Sequence, residues 1–247
     1  VKEMTDNKKE LLKDISINVN QDNFDTLDWD DISENYSLSE NFIREFQEFV
    51  NWSIISFHQT LSETFLFEFS NRVEWTSISG KQSLSERFIE KFKDYIYWTS
   101  ISYNKTLTEK MIRKYEGKVD WILVSIHQKL SEKFIREFKD KVSWHHISAS
   151  QILSNEFIQE FKNEVEWNCI SRNKNLSNNF FVENQNKINW RTYFRNQIAD
   201  FEMMKKFIPK TSFTNYLEFA NIHLSEKQKQ EIQKILNLKN LFKTKTK

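Results

Sequence analysis

The chain has 247 residues, with 36 Lys and Arg against 35 Asp and Glu, and a formal net charge of +1 at pH 7. This balance excludes a general electrostatic attraction to nucleic acid or acidic membranes. Two glycines, one proline and a single cysteine argue against glycine-rich phosphate loops, a hairpin-rich β fold and an internal disulfide framework.

Residues 1–28 precede the first tryptophan and are predicted to form an N-terminal cap. We expect Leu11, Leu12, Ile15 and Ile17 to cover the first repeat. No signal-peptide pattern and no apolar run of about 18 residues is present, so no membrane span is expected.

A fixed spacing of 23 residues separates all eight tryptophans, without an insertion or deletion. They are Trp29, Trp52, Trp75, Trp98, Trp121, Trp144, Trp167 and Trp190. Self-similarity at this period is typical of a repeat array. With Trp as position 1, the consensus is W-x-x-I-S-x4-L-S-E-x-F-I-x-E-F-x3-V-x. Because Trp recurs with Ile at position 4, the tryptophans are predicted to form a structural core, not a stacking platform for bases.

Each repeat is predicted to contain two short helices joined by a turn at positions 6 to 10. Apolar positions 14, 15, 18 and 22 indicate one face of a helix of about 11 residues, which Ser or Thr at position 11 would cap. Three of the Glu at position 12, which suit the helix dipole, precede an Arg by four residues. These pairs are Glu40–Arg44, Glu109–Arg113 and Glu132–Arg136. The first half is predicted to be a helix of about 6 residues, in which small Ser at position 5 lets neighbouring helices approach closely. A continuous kinked helix is the alternative.

The repeat array, residues 29–212, diverges towards its C-terminal end. Asp200 takes the capping place of Ser, and Pro209 is expected to end the last helix. The apolar pattern continues between them at Met203, Met204 and Phe207. Residues 213–238 are predicted to form a divergent capping unit with Phe213 in the Trp place, and residues 239–247 a basic flexible tail.

The pattern as a whole predicts an all-α fold: an elongated α-solenoid of two-helix 23-residue repeats, with divergent N- and C-terminal caps, counted as one domain. We expect a monomer, because a polar C-terminal cap argues against end-to-end association.

Motifs of enzymes are absent from the sequence, so we predict no catalytic residue, no cofactor and no metal site. His146 and Cys169 both occupy position 3 of adjacent repeats and are expected to be stacked neighbours, but a metal site would need further ligands. His58 and His127 at position 7 are expected to be turn residues that form local hydrogen bonds.

Partner binding is expected at the positions that vary while the rest of the repeat stays fixed, namely 2, 3, 6, 7 and 8. Phe57, Tyr103 and Ile126 are large groups at position 6, and His145 and His146 occupy positions 2 and 3. Exposed aromatic side chains on a scaffold are typical binding anchors. The alternative is that some of these groups fill gaps between repeats.

Two segments carry a resemblance to known repeats. Residues 130–144 are LSEKFIREFKDKVSW and residues 29–33 are WDDIS. They resemble uncharacterised tandem repeats of the DWxxIS…LSExFIREFxDKVxW type, which are associated with large DNA viruses of protists and with AT-rich genomes. The resemblance covers roughly residues 27–190. It implies the helical repeat fold and a virus–host setting, and it transfers no assigned activity.

The sequence thus favours a non-enzymatic scaffold for protein–protein interaction, an adaptor acting in the reducing cytoplasm of a host cell. Nucleic-acid binding and a structural or assembly role are the alternatives. A basic stripe would support the former, and position 21 comes closest to one. That position holds Arg72, Lys118, Lys141 and Lys187, interrupted by Phe49, Tyr95 and Glu164.

Overall fold

A computed structural model describes residues 5–17, 24–104, 106–173, 176–196, 201–207 and 225–244. Within these ranges the chain forms eighteen α-helices and one 3-10 helix, with no β-strand, so the predicted all-α repeat fold is confirmed. The chain divides into two compact units, Val1–Gln128 and Lys129–Lys247. No helix in the described ranges is both long enough and apolar enough to cross a membrane.

Every tryptophan begins the first helix of a repeat. In the first unit these helices are α2 (Trp29–Asn35), α4 (Trp52–His58), α6 (Trp75–Lys81), α8 (Trp98–Tyr103) and α10 (Trp121–His127). In the second unit they are α12 (Trp144–Ser150), α14 (Trp167–Ile170) and α16 (Trp190–Asn196).

The second helix of each repeat follows a short turn. These helices are α3 (Glu40–Glu45), α5 (Glu63–Glu68), α7 (Glu86–Lys91), α9 (Glu109–Lys114), α11 (Glu132–Glu137), α13 (Asn155–Glu160), α15 (Asn178–Glu183) and α17 (Phe201–Phe207). The array is preceded by α1 (Asp6–Asp14) and a 3-10 helix (Phe24–Thr26), and α18 (Glu226–Thr244) follows it.

The second helices start where the sequence predicts but are shorter than predicted. Ser39 caps α3, because its hydroxyl accepts a hydrogen bond from the Phe42 N–H at 3.1 Å. The helix was expected to have about 11 residues, whereas α3 has 6. Phe46 ends it by leaving the α conformation, with φ −106° and ψ 23°. A turn then brings the Val50 N–H onto the Phe46 carbonyl, which explains why the apolar spacing extends to position 22. The continuous kinked helix is therefore wrong.

Stacking of first helices builds each unit. In the first unit α2 contacts α4, and the same contact recurs from α4 to α6, α6 to α8 and α8 to α10; in the second unit α12 contacts α14. The apolar positions 4, 14 and 15 are almost fully buried beneath these helices, as Ile78, Phe88 and Ile89 show in one repeat. Burial of such side chains on neighbouring repeats is the main stabilising term of a repeat array.

The tryptophans lie at the edge of this core. All are half-buried except Trp190, which is buried. The indole of Trp75 contacts the rings of Phe92 and Tyr95, with ring centres 5.1 and 5.3 Å apart, and its N–H donates to the Ser70 carbonyl at 3.0 Å. The same N–H bond, to the residue five positions earlier, recurs in every repeat from Trp52 to Trp190. Each indole therefore holds the turn that precedes its own helix.

The serine at position 5 does more than allow close approach. The buried hydroxyl of Ser79 donates to the Trp75 carbonyl at 2.7 Å and accepts a hydrogen bond from the Tyr97 N–H at 3.0 Å. Tyr97 is the residue that caps the first helix of the next repeat. Equivalent bonds to the next cap are made by Ser33, Ser56, Ser102, Ser148 and Ser171. The hydroxyl thus joins neighbouring repeats.

Position 8 belongs to the interior in the four repeats where it is Gln, which corrects its assignment there to the variable, partner-facing positions. Gln59 is only 7% exposed. Its amide donates to the carbonyls of Ser33 and Tyr36 and accepts from the Leu38 N–H, all in the preceding repeat. Similar buried amides belong to Gln82, Gln128 and Gln151 at position 8 and to Asn104 at position 7, and we call this set, with Gln59, the amide row.

Charged groups on the second helices bond both along one helix and across to the next repeat. The predicted pair Glu40–Arg44 forms at 3.6 Å, and Arg44 also reaches Glu68 at 2.8 Å. Glu40 accepts from the Ser62 N–H at 2.7 Å, so it contacts the cap of the following second helix. The other two predicted pairs, Glu109–Arg113 and Glu132–Arg136, form at 3.8 and 3.7 Å.

The N-terminal end of the array is covered by α1. Among the four residues expected to cover it, Leu12 is fully buried and the other three are partly exposed. Lys8 pairs with Glu45 at 3.8 Å, which fixes α1 against α3. Phe24, which the sequence did not single out, packs its ring 5.7 Å from that of Trp29.

At the C-terminal end, Phe207 stacks on Trp190 with ring centres 3.8 Å apart, and Met203 and Met204 are buried beside it. The predictions for Asp200, Pro209 and Phe213 lie outside the described residues. Residues 239–244, which were predicted to be part of a flexible tail, continue the helix α18.

Candidate partner-binding surface

Large side chains at position 6 lie outside the core of the first unit. Phe57 is 48% exposed and Tyr103 is 38% exposed, while Ile126 is half-buried. All three lie near the C-terminal ends of first helices that stack on one another. The position-6 row, meaning Phe57, Gly80, Tyr103 and Ile126 with the adjacent His58, Lys81 and His127, therefore crosses four consecutive repeats.

Contacts between side chains make this row continuous. Lys81 Nζ lies 4.3 Å from the centre of the Phe57 ring, in the geometry of a cation–π contact. The Tyr103 ring lies edge-on to His127 with ring centres 6.2 Å apart. At the other end, His58 contacts the Phe57 ring, and its Nε2 lies 3.9 Å from a carboxylate oxygen of Glu34.

Gly80 creates the space that Tyr103 occupies. A Cβ atom at Gly80 would lie 2.1 Å from the Tyr103 hydroxyl oxygen and 2.8 Å from the ring carbon that bears it. The phenol therefore rests on the backbone of the preceding repeat instead of extending into solvent. This glycine has no positive φ, so its backbone accepts other residues and only the space requires it.

The charge on the first helices changes sharply after the first repeat. α2 contains three carboxylates: Asp30, Asp31 and Glu34. α4, α6, α8 and α10 contain no Asp or Glu, and their basic residues are His58, Lys81 and His127. The position-6 row thus combines apolar rings with basic groups, and among the first helices of this unit carboxylates occur only on α2, next to the His58 end of the row.

The histidines predicted in the second unit have different neighbours from those expected. His145 is exposed, and its Nδ1 lies 3.9 Å from the Cys169 sulfur. His146 bonds to the Ser143 hydroxyl at 2.8 Å, and the hydrogen-bond contact of the Cys169 sulfur across repeats is with His145. Burial raises the pKa of the Cys169 thiol, which keeps it protonated at neutral pH. The described residues contain no group of three potential metal ligands.

Several exposed apolar side chains were missed by sequence reasoning. They are Phe67, Tyr95, Tyr97, Ile122 and Ile152, each more than half exposed. Phe67 and Tyr95 sit beside Phe92, whose ring centre lies 6.0 and 6.2 Å from theirs, and Lys91 covers the Phe67 ring at 3.8 Å. Phe67 is an aromatic residue at position 16, which the consensus leaves unspecified and where most repeats have a polar residue, and this is the signal that could have identified it.

The basic residues at position 21 lie against aromatic rings. Lys118 lies over Trp98 at 5.6 Å and Lys187 over Trp167 at 4.7 Å. Arg72 lies over Trp52 at 5.9 Å and bonds to Glu48 at 2.6 Å. These contacts give the position a role in packing within the array.

Comparisons with protein-family models, with curated proteins and with solved structures give no match for this chain.

Proposed function

We propose that the protein is a non-enzymatic scaffold that binds a protein partner through the position-6 row. The observation that supports this proposal is that Phe57 and Tyr103 are exposed on stacked helices, which are joined by hydrogen bonds between neighbouring repeats. The core is closed beneath them by other residues, so neither ring is needed to fill it. Aromatic side chains held on a rigid scaffold supply large contact areas at low cost in conformational entropy.

A protein partner accounts for this surface better than nucleic acid does. Nucleic-acid binding depends on several cations facing the phosphates, whereas all four position-21 cations cover aromatic rings of the array. The adaptor role in a virus–host setting, and action in the host cytoplasm, extend this proposal on the resemblance of the repeat pattern.

Site-specific photocrosslinking tests the proposal. A benzophenone amino acid is placed at Thr99, which is exposed and lies one helical turn before Tyr103, and in a matched chain at Arg87, which is exposed on the second helix α7. We expect a protein adduct from Thr99, absent from Arg87 and lost in the Phe57→Ala/Tyr103→Ala double variant. The adduct should withstand nuclease treatment.

Equal crosslinking from both positions, or an adduct that the double variant retains, contradicts binding through the position-6 row. Adducts that consist of nucleic acid favour the alternative function.

A further inference from the structure

We infer that the position-6 row selects an extended polypeptide segment that combines apolar side chains with Asp or Glu. This inference rests on the proposed function and adds the chemistry of the partner. It depends on three features of the row: its exposed rings, its uncompensated cation and the position of its carboxylates.

The rings define the apolar part of the preference. Phe57 and Tyr103 belong to α4 and α8, two repeats apart, and Gly80 on α6 between them carries no side chain. The Tyr103 phenol fills the space above Gly80, so a partner side chain that enters between the two anchors would contact this ring and not the helix backbone. Stacked helices lie about 8–10 Å apart, so the four helices of the row cover roughly 30 Å, the length of about nine extended residues.

Lys81 defines the charge preference. Its ammonium group rests on the Phe57 ring and forms no ion pair with a carboxylate anywhere in the described ranges. Other cations of the first unit do have such partners, as in the pairs Arg44–Glu68 and Lys114–Glu90. A carboxylate on the partner would supply the missing charge directly beside an apolar anchor, and such complementarity sets specificity and association rate.

The carboxylates of α2 limit where such a segment can lie. Asp30, Asp31 and Glu34 would repel an acidic segment, while the first helices α4, α6, α8 and α10 have no carboxylate of their own. The N-terminal caps Glu74 and Asp120 use their carboxylates to accept backbone N–H groups at the opposite ends of their helices. An acidic partner is therefore expected to contact the repeats from Trp52 to His127 and to avoid the first one.

A displayed library of random peptides of about 12 residues, slightly longer than the row, tests the inference on the full chain. Clones are selected on the wild-type protein and counter-selected on the Phe57→Ala/Tyr103→Ala variant, which circular dichroism must show to be folded. We expect enriched peptides that combine Asp or Glu with aromatic or aliphatic residues. Their affinity, measured by fluorescence anisotropy, should fall about tenfold in Lys81→Glu.

The possible outcomes distinguish failure of this inference from failure of the proposed function. Enriched peptides that need Phe57 and Tyr103 but are basic or uncharged overturn the acidic preference and leave a partner-binding row in place. Acidic peptides that bind Lys81→Glu as well as wild type also overturn it. If no enriched peptide depends on the two rings, both the inference and the proposed function fail.

Gly80→Ala tests the geometry with a matched control. The new methyl group would meet the Tyr103 hydroxyl and turn that ring outward, whereas Gly117→Ala meets no atom within 4 Å. We expect Gly80→Ala to weaken the selected acidic peptides about tenfold without lowering the melting temperature, since Ala favours the helix. Gly117→Ala should bind as wild type. Unchanged binding by Gly80→Ala would show that the position of Tyr103 is irrelevant.

Discussion

Replacing Gln59 by Leu tests whether the amide row stabilises the array. Leu fills nearly the same volume, so the main change is the loss of three hydrogen bonds, to the Leu38 N–H and to the carbonyls of Ser33 and Tyr36. Each bond contributes about 1 kcal/mol net, and each buried group left without a partner costs about 1–3 kcal/mol. We expect the free energy of unfolding to fall by roughly 3 kcal/mol.

Urea denaturation followed by tryptophan fluorescence measures that loss, and Gln159→Leu is the matched control. Gln159 is exposed on α13, where its amide bonds to Asn184 at 2.7 Å, so its replacement should change stability by less than about 0.5 kcal/mol. Hydrogen exchange supplies a local measurement, because the Leu38 amide proton should exchange faster in Gln59→Leu. A loss below about 1 kcal/mol, with unchanged exchange at Leu38, would refute a stabilising role for the amide row.

Three further changes test other parts of the structure. Trp75→Ala should lower the free energy of unfolding by about 3 kcal/mol, the low end for a tryptophan truncation because the indole is half-buried; urea denaturation measures this. Deletion of residues 52–74, one whole repeat, should leave a folded helical chain, whereas deletion of residues 52–62 should give an aggregating one; circular dichroism melts compare them. Burial and the bond to Glu90 raise the pKa of Tyr115 to about 12, so its contribution to stability is present below pH 10 and lost between pH 10 and 12. The deficit of Tyr115→Phe, measured by denaturation at about pH 8 and pH 11, should therefore shrink at the higher pH.

A specific result would contradict each of these three predictions. A loss below about 1 kcal/mol in Trp75→Ala would mean that the indoles contribute little to the core. Equal tolerance of both deletions would contradict the 23-residue repeat as the folding unit. A Tyr115→Phe deficit that grows between pH 8 and pH 11 would show that the phenol is not held in its protonated form by the fold.

Local chemistry made much of the repeat predictable from sequence. Ser39 precedes an apolar helical face, so its capping role follows from residue type and spacing. Glu40 and Arg44 lie four residues apart on one helix, so their pairing follows from helical geometry. The 23-residue spacing of the tryptophans predicted the repeat architecture, because residues at equivalent positions of successive repeats adopt equivalent local structures.

The hydrogen bonds between repeats could not be predicted from local sequence patterns of this kind. Ser79 bonds to a backbone N–H 18 residues later, and Gln59 to a carbonyl 26 residues earlier. Helical periodicity carries no information on which side chain meets a backbone group of the neighbouring repeat. Position 8 varies between Gln, Lys and Tyr, and this variation was interpreted as a sign of exposure. The buried side chains there show that polar groups also serve the interior when their bonds are satisfied.

Some features of the candidate surface could likewise be predicted from the sequence, and others could not. Phe57 and Tyr103 could be identified because they are large residues at a position where the repeat does not require size. The contact of Tyr103 with Gly80 could not, because it depends on how closely two helices approach. Phe67 and Tyr95 lie on the second helix and the turn after it, where no partner-facing position was expected.

The hydrogen bonds between repeats recur at similar sequence separations: a serine meets the backbone 18 residues on, and a glutamine meets the backbone of the repeat before it. An in-frame duplication or loss of any 23-residue stretch preserves those separations, wherever in the repeat the break falls. The gene can therefore lengthen or shorten the array by unequal recombination at many points, and each event yields a chain with its bonding partners already in register. Exposed residues such as Phe57 would be copied or removed with their repeat, so the binding surface can be recombined while the fold is conserved.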